Sequence, residues 1–133
     1  SVDSKKLLDE IEKVAAKHDK VQDILLQVNV AREASKSGMS VEEFPDIRDY
    51  AKTLPHVRVK GLMCMAPFFE NPEDARPIFR VAHALYEDMK GYFPDGNIQY
   101  LSMGMTHDFE IALQEGANIV RVGTAIFGER VYN

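Results

Sequence analysis

Val57-Arg58-Val59-Lys60-Gly61-Leu62-Met63 reads as a β-strand, and after a loop Asn71-Pro72-Glu73-Asp74 reads as a helix start. Asn71 supplies the cap, Pro72 takes the first helical position, and the acids of the first turn favour the positive end of the helix dipole. A long helix follows to Lys90, with Gly91 as its stop and Pro77 setting its opening turn apart. Strand followed by helix is the unit, and it recurs on both sides. Upstream, Leu7, Leu8, Ile11, Val14 and Ala15 fall at helical spacing behind a cap at Asp3 or Ser4. Ile24-Leu25-Leu26-Gln27-Val28-Asn29-Val30 is a strand, and a small-residue loop leads to Ser40-Val41-Glu42-Glu43, which has the form of a capping box. The helix after it carries Val41, Phe44, Ile47, Tyr50, Ala51 and Leu54 before Pro55, with Pro45 leaving its start open. Downstream, residues 97–103 read as a strand, 106–115 as a short helix ended by Gly116, and 118–123 as a fourth strand.

Helices alternating with apolar strands imply parallel strands joined by right-handed crossovers, so the class is α/β. No linker or composition break divides residues 1–133, which are read as one unit. A closed (β/α)8 barrel takes about 250 residues. The 133 residues and four strands here correspond to half of one. Ser1-Val2-Asp3, ahead of the first helix, look like the tail of a further strand. Half a barrel exposes parallel edges, so the expectation is a missing amino-terminal half, or a second chain, to cover them.

Sixteen Lys and Arg against twenty-one Asp and Glu give a net charge of −5 and a pI near 5.3, so the broad positive field that gathers nucleic acid or an anionic membrane is absent. An anionic ligand must therefore be held locally. No apolar stretch approaches the ~20 residues of a membrane span, and Ser1 to Lys6 lack the pattern of a secretory signal, so the cytoplasm is the expected address. Cys64, the single cysteine, lies between methionines and is read as a packed thiol.

The chemistry is expected at Leu101-Ser102-Met103-Gly104-Met105-Thr106-His107-Asp108, where a hydroxyl, a glycine and a helix cap meet at the carboxyl end of a strand. Unpaired N–H groups at a helix start, and a glycine that admits close backbone approach, suit a phosphate; an ordinary turn capped by Thr106 has the same local features. Arg121-Val122-Gly123-Thr124-Ala125-Ile126-Phe127-Gly128 repeats the arrangement one strand later. Alternation puts Arg121 and Gly123 on the face opposite Val120 and Val122, so valines packed on helices turn the arginine inward. A buried guanidinium stays charged and needs an acceptor: a phosphate, a ring nitrogen, or a carboxylate such as Glu110, Glu115 or Glu129.

Ser102-Met103-Gly104-Met105-Thr106 with Asp108-Phe109-Glu110, followed by the Arg121 to Gly128 run, resembles the signature of the pyridoxal phosphate homeostasis proteins, the YggS family. The likeness extends back through Leu26-Gln27-Val28-Asn29, Ser35-Lys36-Ser37-Gly38 and Arg58-Val59-Lys60-Gly61-Leu62-Met63, and so covers nearly the whole chain. It implies a fold-type III, alanine-racemase-like TIM barrel, of which this chain resembles the carboxyl-terminal part with strands 5–8. It implies pyridoxal 5′-phosphate (PLP) as cofactor, its phosphate bound by Ser102, Gly123 and Thr124, with Met103 and Thr106 close by and Arg121 facing the pyridine nitrogen. It further implies that the Schiff-base lysine lies upstream of this region. Lys36, in the loop after the fifth barrel strand, is not that lysine, and no catalytic residue is expected here.

The implied function is a cytoplasmic PLP carrier or regulator without strong catalysis, with PLP-dependent apoenzymes as candidate partners. The alternatives are a fold-type III amino-acid racemase and a half-barrel that needs a partner to close. Thr106 stands where many relatives have Ser, and the hydroxyl survives. His18, His56, His83 and His107 show no metal-ligand spacing. Asp108 and Glu110 are read as first-turn charges, and Met63, Met65, Met103 and Met105 as filling the barrel interior.

Overall fold

In the computed structural model, residues 1–32 and 37–128 are described, without the side chain of Ala125. Lys36 and Glu129 lie outside them. Helix α1 (Lys5–Lys17) starts where Ser4 Oγ accepts the Leu7 N–H, as the spacing implies. Strand β1 (Gln22–Val28) leads to α2 (Phe44–Lys52), and β2 (Val57–Cys64) leads to a 3-10 turn (Pro72–Ala75) and α3 (Arg76–Met89). Then follow β3 (Tyr100–Met105), α4 (Phe109–Gln114), β4 (Ile119–Arg121) and α5 (Gly123–Phe127). Ser40 Oγ accepts the Glu43 N–H at 3.0 Å, and α2 opens just beyond it with Pro45 in its first turn. The 3-10 turn gives way to α3 at Arg76, one residue before Pro77, so the opening turn is set apart as Pro77 implies.

The sheet is wholly parallel and ordered β1-β2-β3-β4. Sequential order with right-handed crossovers puts every connecting helix on the same face, which is how a barrel winds; a doubly wound sheet reverses its order. On that face Ile24, Leu26, Val28, Leu62, Leu101 and Met103 pack beneath Leu8, Phe44, Phe79 and Met89, all buried in one cluster. On the other face Gln27, Met63, Ser102 and Ile119 stand in register across the four strands. Val2 bridges to Leu26 in parallel, so the edge of β1 begins to take another strand there, as the reading of Ser1-Val2-Asp3 anticipates.

Two details set the height of the strand ends. The register slips between Ile24 and Leu25, which pair with Val59 and Gly61, so Lys60 is extra in β2. A Cβ on Gly61 would lie 1.8 Å from the Tyr100 carbonyl oxygen, so only glycine lets β3 approach there.

Candidate functional site at the strand ends

Arg121 ends β4, and its side chain lies back across the sheet. Nη1 donates to Ser102 Oγ on β3 at 2.5 Å, and Nη2 donates to the Cys64 carbonyl at the end of β2 at 3.0 Å. The guanidinium thus links three strands. Ser102 is 4% exposed, on the face opposite Leu101 and Met103, while Val120 packs against the core. The inward arginine expected from alternation is therefore observed. Its acceptors are a hydroxyl and a main-chain carbonyl, whereas Glu115 pairs with Arg80 (2.7 Å) and Arg76 (3.5 Å). Burial draws the Arg121 pKa below its ordinary value, opposed by the nearby Cys64 and Asp108.

Cys64 is fully buried, and desolvation pushes its thiol up to about 12. It is a packed thiol, as its apolar neighbours suggest.

Several expected features are corrected. The helix after β3 begins at Phe109 rather than Thr106: Asp108 takes the N-cap position, its carbonyl accepting the Ala112 N–H at 3.1 Å, while its Oδ1 reaches back to accept the Met105 N–H at 2.8 Å. Thr106, half-buried, lies in the turn between β3 and α4, two positions before the N-cap. The space left by Gly104 is used by α4, since a Cβ there would stand 2.7 Å from Ala112 Cβ and 3.0 Å from Phe109 Cα. Close approach at Gly104 is thus helix packing and not room for an anion. The Met103 side chain is fully buried under the helices, on the face opposite Ser102, so only its main chain faces the strand end; Met105, read as interior, is 43% exposed. Gly123 opens α5 rather than continuing β4, which ends at Arg121; Gly123 and Thr124 are exposed, and a Cβ on Gly123 would meet nothing within 4 Å.

One contact went unread in the sequence. His107 Nε2 donates to the Phe69 carbonyl at 2.5 Å, and its ring lies 4.3 Å from that of Phe68, which ties the loop after β2 to the turn after β3. Among the described residues no group of three or more His, Cys, Asp or Glu gathers as a metal site, and no helix is long and apolar enough to cross a membrane. A cleft of about 700 Å³ lies elsewhere, between α1 and the edge of β1 around Leu7, Val14 and Ile24.

A parallel, sequentially ordered sheet with helices on one face, and polar groups converging at the carboxyl ends of neighbouring strands, defines a segment of a TIM barrel with its site at the usual pole. Residues 1–131 match the family described as "Alanine racemase, N-terminal domain", and the chain belongs to it. A protein of Aquifex aeolicus (strain VF5) named "Pyridoxal phosphate homeostasis protein" is 48% identical over 132 residues, 99% of this chain and 58% of that protein. A crystal structure of an unknown protein from Bifidobacterium adolescentis shares 35% identity at a TM-score of 0.86, over 96% of this chain and 51% of that one. The structure of PipY from Synechococcus elongatus PCC7942 with PLP bound superposes at 0.77 with 29% identity, over 96% of this chain and 59% of that one. The chain spans about half the length of the curated relatives it matches.

Proposed function

We propose that this chain is the phosphate- and ring-holding part of a PLP-binding protein that serves intracellular PLP homeostasis, a carrier or regulator without strong catalysis. The observation that carries the reading is Arg121: a half-buried permanent cation whose hydrogen bonds, among the described residues, go to two neutral acceptors, Ser102 Oγ and the Cys64 carbonyl, with Asp108 the nearby carboxylate. The donor set fits the cofactor. Ser102 and Thr124 offer hydroxyls, Gly123 and Thr124 open a helix whose first N–H groups have no partner within it, and no side chain crowds Gly123. In this reading Ser102, Gly123 and Thr124 hold the phosphate, with Thr106 and the Met103 main chain beside them, and Arg121 faces the pyridine nitrogen.

Bound PLP supplies an aldehyde and a ring able to delocalise an electron pair. A guanidinium beside the ring nitrogen disfavours protonation there, which weakens that capacity and suits holding over transformation. The names of the relatives and the PLP-bound PipY structure support the same reading. The covalent anchor, a lysine, is assigned to the region upstream, PLP-dependent apoenzymes are the proposed recipients, and the cytoplasm is the proposed setting.

Titration with PLP followed by borohydride reduction and mass mapping tests the reading. Binding without stoichiometric labelling of any lysine in residues 1–133 is expected; one specifically labelled lysine there contradicts it. Alanine racemisation by the full-length polypeptide at ordinary enzyme rates would favour the racemase instead.

A further inference from the structure

The Ser102 hydroxyl has one proton to donate and two lone pairs to offer. One lone pair is taken by Arg121 Nη1 at 2.5 Å, and because a guanidinium only donates, the hydroxyl proton must point elsewhere. Ser102 is therefore turned by its own neighbour into a donor aimed away from Arg121, the orientation an anion requires. The Cys64 carbonyl takes Nη2 at 3.0 Å, so the two Nη nitrogens are fixed on β3 and β2 while Arg121 itself stands on β4. Cys64 contributes only main chain to this tether. Ser102 contributes a side chain and is 4% exposed, so water is a poor substitute for its oxygen.

We propose that Ser102 is a positioning residue for Arg121: one hydroxyl ties the phosphate end of the site to the ring end, and its loss weakens the hold on the ring even in a ligand without a phosphate. This rests on the PLP reading above and adds to it a coupling between the two ends. A serine that only grips phosphate has no effect on a ligand lacking phosphate. A serine that also orients the arginine does, since the guanidinium freed from Oγ swings about the remaining Cys64 bond and the cation beside the ring nitrogen loses its fixed place.

The test compares PLP with pyridoxal, which has the same ring and no phosphate, in equilibrium titrations of the full-length polypeptide carrying Ser102, Ser102→Ala or Ser102→Thr. Ser102→Ala is expected to weaken pyridoxal about 5–10-fold, the size of one ordinary net hydrogen bond felt indirectly through the arginine, and PLP by more. Ser102→Thr, which keeps the hydroxyl, is expected to restore pyridoxal to within about 2-fold. If Ser102→Ala does not fold, Ser102→Cys, similar in shape with a weak acceptor, makes the same comparison. Pyridoxal affinity unchanged in Ser102→Ala, a loss that Ser102→Thr does not restore, or a wild type that binds PLP but not pyridoxal overturns the proposal. A wild type that binds neither ligand overturns the PLP reading itself, and this coupling with it.

Discussion

Arg121 donates to Ser102 Oγ from the neighbouring strand, and with its second bond to the Cys64 carbonyl it closes a tether over three strand ends. The same bonds stabilise the sheet and place the charge. Arg121→Met keeps the length of the side chain and leaves both acceptors without their donor, which costs about 1–3 kcal/mol in urea unfolding. PLP affinity falls at the same time. Arg121→Lys recovers little of the affinity, because an ammonium cannot span both acceptors in the plane of a guanidinium. An Arg121→Met protein as stable as the wild type would show that the tether does not hold in solution.

Gly104 and Gly123 answer differently to the same substitution. Gly104 sits at φ +100° with Ala112 and Phe109 against its missing Cβ, so Gly104→Ala is expected to cost about 2–4 kcal/mol from strain and overlap combined. A Cβ on Gly123 has open space around it, and Gly123→Ala is expected to change stability by about 0.5 kcal/mol or less while lowering PLP affinity. Paired denaturation and titration curves check both. Equal stability losses at the two positions would contradict the assignment of Gly104 to helix packing.

Much of the fold is legible before any coordinates. Strand and helix order follows from alternating apolar periodicities, the Ser4 and Ser40 caps from residue type, and the inward turn of Arg121 from strand parity. What escapes is long-range. Thr106 and Asp108 are both residue types suited to an N-cap, and which of them takes that position before α4 depends on where β3 releases the chain at Met105. Gly104 has the signature of an anion loop, yet its space belongs to Ala112, eight positions on. The partner of Arg121 is set by a β3–β4 register that slips between Ser102 and Met105, and no local pattern encodes a bond to a carbonyl of β2.

Cys64 gives the structure a pH dependence of definite sign. Its pKa is raised from 9.0 to about 12 by burial, so above pH 9 the unfolded chain releases a proton that the folded chain keeps. Stability from this group is fully present below about pH 9 and is lost as pH rises toward 12, with a slope of at most about 1.4 kcal/mol per unit. Cys64→Ala is expected to flatten that part of the profile, and the native thiol to react with an aromatic disulfide reagent only through opening of the structure. Rapid stoichiometric reaction at pH 8 would show that the thiol is not sealed.

PLP is proposed to be held at the carboxyl ends of β3 and β4. Amide and arginine side-chain NMR shifts, followed as PLP is added, locate the ligand directly. Saturable changes are expected at Ser102, Thr106, Arg121, Gly123 and Thr124. Changes confined to the cleft between α1 and β1, around Leu7, Val14 and Ile24, would contradict it.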